Sequence, residues 1–154
     1  MIVFSFNGIS MLYPDKKRLA CLRECHRLLR QGGIFIFSLH NARSLLVRPS
    51  RASHSLAATL VALCTALITN AARLRRRLLS RAFWSGHGYV LTFPAHGSLT
   101  TFAASRSFVR RELETNGFAY VASYGEQHPR HMPSIITRWN YYVFRKDAHT
   151  GLNR

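Results

Sequence analysis

The chain has 154 residues, a length that fits one domain, and 47% of them are hydrophobic, which is enough for an ordinary core. Its 22 Lys and Arg against 6 Asp and Glu give a net charge of +16, which favours negatively charged partners: nucleic acid, acidic lipid or an anionic substrate. The three cysteines form no metal set. Their odd number, with no basic region before the first apolar run to mark a signal peptide, predicts a protein of the reducing cytoplasm.

The first 41 residues have the pattern of one βαβ unit. An apolar run over Ile2–Phe6 predicts a strand, and the turn-forming pair Asn7-Gly8 ends it. Leucines at helical spacing predict an amphipathic helix that begins near Pro14 and ends at Gly32-Gly33. A second apolar strand follows over Ile34–Ser38, so two parallel strands with a crossover helix are expected.

Polar residues follow both strands. Asn7 and Gly8 come after the first strand, and His40 and Asn41 come after the second. Ligands of open α/β sheets bind outside the carboxyl ends of the strands, so these residues form the best candidate site. The alternative is that Asn7-Gly8 is only a turn and His40-Asn41 only a cap, because turns use these residue types routinely.

A polar connection, 42–55, leads to a predicted helix over Leu56–Leu79 whose last part is rich in arginine. The apolar stripe of this helix consists of leucines at three-and-four spacing: Leu56, Leu60, Leu63, Leu67, Leu74 and Leu78. Three alternatives stay open for it. The helix can pack as a lid over the mouth of the site, lie on an acidic lipid surface, or span a membrane, although its uncharged part is short for a span.

The basic run suggests a nucleic-acid partner as a further alternative. Arginines between Arg73 and Arg81 could contact phosphates, and Phe83 and Trp84 could stack on bases. The sequence contains no nucleic-acid-binding signature, and an arginine run is usually a solvated helix end.

The segment Phe83–Ala104 is rich in glycine and aromatic residues and predicts a loop with one short strand near Leu99–Phe102. It contains His87 and His96, which with His40 could line a pocket. A histidine with a near-neutral pKa can act as a general base, whereas each of these residues taken singly is also typical of an exposed loop.

The last third predicts a helix, a strand, a loop and a closing strand. Ser105 is the expected cap of the helix, and Asn116-Gly117 its end. Strands are predicted over Ala119–Tyr124 and Trp139–Arg145, paired as a hairpin with a long loop, and the tail 146–154 is polar.

Several segments in this order resemble the C-terminal part of the class I S-adenosylmethionine-dependent methyltransferases. They are FSFNGI with the helix after it, LLRQGGIFIFSLHN, FVRRELETNGFAYVASYG and WNYYVFRK. The resemblance implies an α/β domain over 1–145 with a partial Rossmann-like methyltransferase fold. This fold has a mixed sheet, helices on both sheet faces and a helical lid insertion over about 42–104. The first predicted strand would then have one exposed edge, through which we expect self-association.

The resemblance also implies transfer of a methyl group from S-adenosylmethionine to an acceptor that the sequence does not identify. The site residues that it suggests are Phe6, Asn7 and Gly8 for the cofactor, His40 and His96 for catalysis, and Asn41 and His87 for the acceptor. The family's glycine-rich cofactor loop and ribose-binding acid belong to strands that precede the matching segments, so the chain by itself can be inactive. The alternative is a non-catalytic basic module that binds acidic membrane surfaces or nucleic acid. In the first case, the cytoplasmic protein would be associated with a membrane.

Overall fold

The structure is a computed structural model that describes residues 1–4, 8–46, 56–92 and 99–147, without the side chains of residues 56, 57, 59, 91, 92 and 99. Strands and helices alternate along these ranges. They are β1 (Ile2–Phe4), a 3₁₀ turn (Gly8–Met11), α1 (Asp15–Leu28), β2 (Ile34–His40), α2 (Leu56–Leu78), α3 (Arg81–Ser85), β3 (His87–Thr92), β4 (Leu99–Ala104), α4 (Arg106–Thr115), β5 (Phe118–Gly125) and β6 (Trp139–Lys146).

The strands form one mixed sheet around β2. β1 pairs with the first half of β2 in parallel, and β6 pairs with the whole of β2 in antiparallel orientation. β5 lies outside β6, and the β3–β4 hairpin joins β2 at its carboxyl end, where Ala103 lies opposite His40. The predicted βαβ unit and the predicted hairpin of the last two strands are therefore confirmed.

Two turns follow the local chemistry of their residues. Gly32 has a φ of +71°, and a Cβ at Gly33 would lie 2.7 Å from the Arg30 carbonyl oxygen, so the chain reverses here on glycines. The Ser105 side chain accepts a hydrogen bond from the Phe108 amide at 3.3 Å and caps α4 as predicted.

The predicted strand near Leu99–Phe102 is confirmed as part of β4, but the prediction of a loop before it was wrong. α3 and the strand β3 occupy this segment, and β3 pairs with β4 over six residue pairs, from His87 opposite Ala104 to Thr92 opposite Leu99. The glycines made this segment look irregular. The strand β3 is formed by pairing with the next strand of the chain, β4, rather than by the local preference of its own residues.

The core lies on one face of the sheet. α1 and α4 cover this face, whose buried side chains are mainly aromatic: Phe35, Phe37, Leu39, Phe102, Phe118, Tyr142 and Phe144. On the opposite face, Ala82 of α3 packs where a Cβ on Gly88 would lie, while Ile34, Ile36 and Val143 stay half-exposed. Among the described residues, helices thus lie on both faces, but the second face is covered less completely than the sequence predicted.

A buried ion pair joins the two helices of the core face. Although Arg18 belongs to the charged residues of an amphipathic helix, its side chain is only 2% exposed. It donates two hydrogen bonds to Glu112 of α4, at 2.6 and 2.7 Å, and one to Asp15 at 2.9 Å. Its guanidinium carbon lies 3.8 Å from the centre of the Phe102 ring. The pair therefore fixes α1 against α4 across the aromatic core.

We expect Glu112→Gln to lower the free energy of unfolding by about 2–4 kcal/mol, because it leaves a buried guanidinium with one carboxylate partner fewer. Glu114→Gln on the same helix is the matched control, since Glu114 pairs with Arg110 in solvent, and we expect a change below about 0.5 kcal/mol. Urea unfolding followed by circular dichroism measures both. Equal effects of the two substitutions would show that the Arg18 pair does not stabilise the fold.

Candidate functional site

His40 lies at the carboxyl end of β2, inside a row of residues that crosses the sheet. Gly88, Ala103, His40 and Trp139 are paired in register, so their Cβ directions share one sheet face. The His40 and Trp139 rings are 3.8 Å apart between centroids. The sequence prediction ended the strand at Ser38, but His40 is part of it, because β4 and β6 pair with it on both sides.

Arginines surround His40. Burial, together with the charges of Arg77, Arg73 and Arg138, lowers the pKa of His40 to about 4. The imidazole is therefore neutral at pH 7 and a weaker base than the near-neutral histidine that the sequence suggested. Its catalytic role stays a prediction.

Two of the arginines near His40, Arg73 and Arg77, have buried N–H donors without hydrogen-bond acceptors among the described residues. Burial lowers the pKa of Arg73 and of Arg77, with a further decrease from the nearby guanidinium charges. Among the described residues, neither Arg73 Nε nor Arg77 Nη1 has a hydrogen-bond partner, although both atoms are buried. The Glu126 carboxylate accepts hydrogen bonds from the backbone N–H and the Nε of Arg138, at 3.2 and 3.4 Å.

α2 places Arg73 and Arg77 inward and most of its leucines outward. Half-buried residues recur on it at helical spacing: Ala62, Ala66, Asn70, Arg73, Leu74 and Arg77. Four leucines of the predicted stripe are exposed: Leu60, Leu63, Leu67 and Leu78. The leucine stripe does not pack against the protein, because the side of the helix that carries Arg73 and Arg77 faces inward. A role of α2 as a lid stays a prediction. The spanning alternative was wrong, since none of the described helices is long and apolar enough to cross a membrane.

Asn41 uses its side chain to hold the loop before β6. Its Nδ2 donates to the carbonyls of Ser134 and Thr137, at 2.7 and 2.9 Å, and its Oδ1 accepts from the Arg43 amide at 3.0 Å. These bonds fix the loop that ends in Arg138. Contact between Asn41 and an acceptor stays a prediction, but the amide already has a structural role.

His87 lies on the other face of the sheet from His40. It pairs with Ala104, whereas His40 pairs with Ala103, and successive residues of a strand point to opposite faces. The His87 ring stacks on Phe108 of α4 at 4.0 Å. An open cavity of about 480 Å³ between α3 and β3 also borders His87. The structure therefore does not bring His40 and His87 into one pocket.

The remaining predicted residues give a partial test of cofactor fit. Phe6, Asn7 and His96 lie outside the described residues. Gly8 begins the 3₁₀ turn, and a Cβ there would lie 3.1 Å from the Phe4 ring, so this glycine allows the turn to pack on β1.

The acids of the chain do not complete a cofactor site. All six lie in the described part of the chain, and none follows β1 or β2 directly, in 8–11 or 41–46. Asp15 and Glu112 are committed to Arg18. The part of the chain that the structure describes therefore has no carboxylate at these two strand ends for the ribose of S-adenosylmethionine, a role that the resemblance assigns to an earlier strand.

No protein-family model and no curated protein matches the sequence. Among solved structures, the chain resembles a protein named as an S-adenosylmethionine-dependent methyltransferase from Listeria monocytogenes. The two share 10% identity with a TM-score of 0.52 over 91% of this chain and 58% of that one. The chain has a methyltransferase fold. The CcbJ methyltransferase from Streptomyces caelestis aligns with 13% identity and a TM-score of 0.49, over 92% of this chain and 58% of that one. An S-adenosylmethionine-dependent methyltransferase from Clostridium acetobutylicum ATCC 824 aligns with 7% identity and a TM-score of 0.49, over 92% and 56%.

This chain thus spans less than two thirds of the length of each protein that it resembles. Sequence reasoning proposed His40 as a candidate residue but did not predict that Arg73, Arg77 and Arg138 act on it. The one available signal was the four-residue spacing of Arg73 and Arg77, which places them on one side of a helix.

We expect the low pKa of His40 to make the protein less stable in acid. The unfolded chain takes up a proton on this residue near the ordinary value of 6.5, whereas the folded chain resists protonation until about pH 4. Between these values, falling pH favours unfolding. Relative to His40→Gln, the wild-type protein should lose roughly 1–3 kcal/mol of unfolding free energy over this range, allowing for partial solvent screening. Denaturant titrations of both proteins at several pH values measure the difference, and parallel curves would contradict it.

Proposed function

We propose that the chain acts in the transfer of a methyl group from S-adenosylmethionine, with the carboxyl ends of β1 and β2 as the site. The observation that carries the proposal is the shared fold with the Listeria protein, over 91% of this chain. The position of His40 supports it, because it lies at the strand ends where ligands of α/β sheets bind.

The incomplete cofactor site sets the strength of binding that we expect. A site without the ribose carboxylate lacks hydrogen bonds to a charged group, which weakens binding roughly 10–100-fold relative to a complete site. We therefore expect this chain alone to bind the cofactor weakly at the strand ends, and we do not expect it to turn over substrate.

Calorimetric titration of the folded chain with S-adenosylhomocysteine, the reaction product, tests this function. We expect saturable, weak binding that Gly8→Val reduces, because a branched side chain there would press on the Phe4 ring 3.1 Å away and displace the turn after β1. Gly125→Val, at the far end of the sheet from β1, is the control for glycine substitution as such. No binding by a chain whose circular dichroism shows that it is folded would contradict the proposal.

A second candidate function rests on the outward face of α2. The side chains of Leu67 and Ile68 are 70% and 71% exposed, and Leu60 and Val61 extend this apolar surface. The basic residues Arg75 and Arg76 follow it on the same helix, and the whole chain carries a net charge of +16. An apolar helix face beside positive charge favours attachment to an acidic lipid surface.

We expect the chain to bind vesicles of mixed neutral and acidic phospholipid, and Leu67→Gln with Ile68→Asn to weaken this binding about tenfold or more, because both apolar side chains lose their place in the lipid. Val121→Ser, which removes a similarly exposed apolar side chain from β5, should leave it unchanged. Co-sedimentation with vesicles is the measurement. Equal binding to wholly neutral vesicles, or stronger binding to single-stranded oligonucleotides, would contradict a lipid partner.

Self-association through β1 stays a prediction as well. Among the described residues, β1 pairs with β2 alone, and Val3 in its centre is half-exposed. A free strand edge of this kind accepts a further strand.

A further inference from the structure

We propose that Arg73, Arg77 and Arg138 form a binding site for an anionic group, a phosphate or a carboxylate, at the carboxyl end of β2. The site itself rests on the positions of these side chains. Its assignment to the methyl acceptor rests on the proposed function, and would make that acceptor an anionic molecule.

The charges around His40 are unbalanced. Arg73 and Arg77 act on it from consecutive turns of α2, and Arg138 acts on it from the residue before β6. Glu126 is the carboxylate that acts on this group, and it is already hydrogen-bonded to Arg138. Three guanidinium charges against one carboxylate leave an excess of positive charge in a partly buried place. A bound anion would neutralise it.

Two of these arginines carry N–H donors that lack acceptors in the described part of the chain. Arg73 Nε and Arg77 Nη1 are both buried, and neither has a partner among the described residues. A buried charged donor without an acceptor is unfavourable, whereas other arginines of the chain do find carboxylates, as Arg18 does with Glu112. Donors of this kind are satisfied when an oxygen anion binds between them.

The chemistry of guanidinium groups suits an oxygen anion. Guanidinium groups present planar sets of N–H donors that match the oxygens of phosphate and carboxylate, often through two bonds at once. The rings of His40 and Trp139 lie 3.8 Å apart between centroids, tilted by 34°, and add aromatic surface at the same end of β2. His40 is neutral here and can accept or donate a hydrogen bond, so it fits a ligand with a polar group beside its anion.

The test is titration of the folded chain with inorganic phosphate and, separately, with acetate, by calorimetry at fixed ionic strength, so that the general attraction of a basic protein for anions is screened. We expect saturable binding of at least one of them, and a loss of about 10–100-fold in affinity for Arg77→Gln and for Arg73→Gln. Arg75→Gln is the matched control, because it removes an exposed arginine of the same helix, and its affinity should stay within about twofold. Tighter phosphate binding would identify a phosphate-bearing ligand, and tighter acetate binding a carboxylate.

Proton NMR of His40 gives a second measurement that does not depend on the variants. Anion binding should raise the pKa of His40 from about 4 towards its ordinary value, because the charges of Arg73, Arg77 and Arg138 are then neutralised while Glu126 is unchanged. No saturable binding of either anion, or an equal loss in Arg75→Gln, would overturn the proposal. Neither measurement involves the cofactor, so failure of S-adenosylhomocysteine to bind would count against methyl transfer and leave the anion site standing.

Discussion

The structure depends on β2. Its seven residues pair with β6 along their whole length, with β1 over the first half and with β4 at the last residue, so β1, β4 and β6 take their positions from it. Phe35, Phe37 and Leu39 point from it into the aromatic core, and His40 ends it at the candidate site. One short strand thus sets both the packing and the place where a ligand can meet the sheet.

Burial of arginine has opposite outcomes at two places in this protein. Arg18 is buried with two carboxylates, at hydrogen-bonding distance from both, and holds α1 to α4. Arg73 and Arg77 are partly buried with donors that lack acceptors among the described residues. The first arrangement is complete without a ligand and serves the fold. The second is incomplete, which is typical of a site rather than of a structural ion pair.

The parts of the fold that were predictable are those with a local cause. The Gly32-Gly33 turn, the Ser105 cap and the apolar strand from Ile34 follow from the conformational and hydrogen-bonding preferences of neighbouring residues, and all three are present. The features that sequence reasoning missed depend on distant residues. Arg18 is buried because Glu112 lies 94 residues away along the chain but beside it in space. The apolar pattern of α2 indicated its helical state, but which side faces inward depends on the arginines and on what they approach.

The short pairing between β2 and β4 has a mechanical consequence for the site. β3 and β4 are bound to each other over six residue pairs, whereas β4 meets β2 as a strand at the single pair His40–Ala103. The β3–β4 hairpin and the group of β1, β2, β6 and β5 are therefore each well paired internally, whereas one residue pair joins the two groups as strands. Gly88 lies in the same row as this pair and packs closely on Ala82 of α3. A movement of the β3–β4 hairpin relative to β2 would therefore also move α3. His40 lies where the β3–β4 hairpin meets β2, so the relative position of these two parts of the sheet determines the shape of its surroundings.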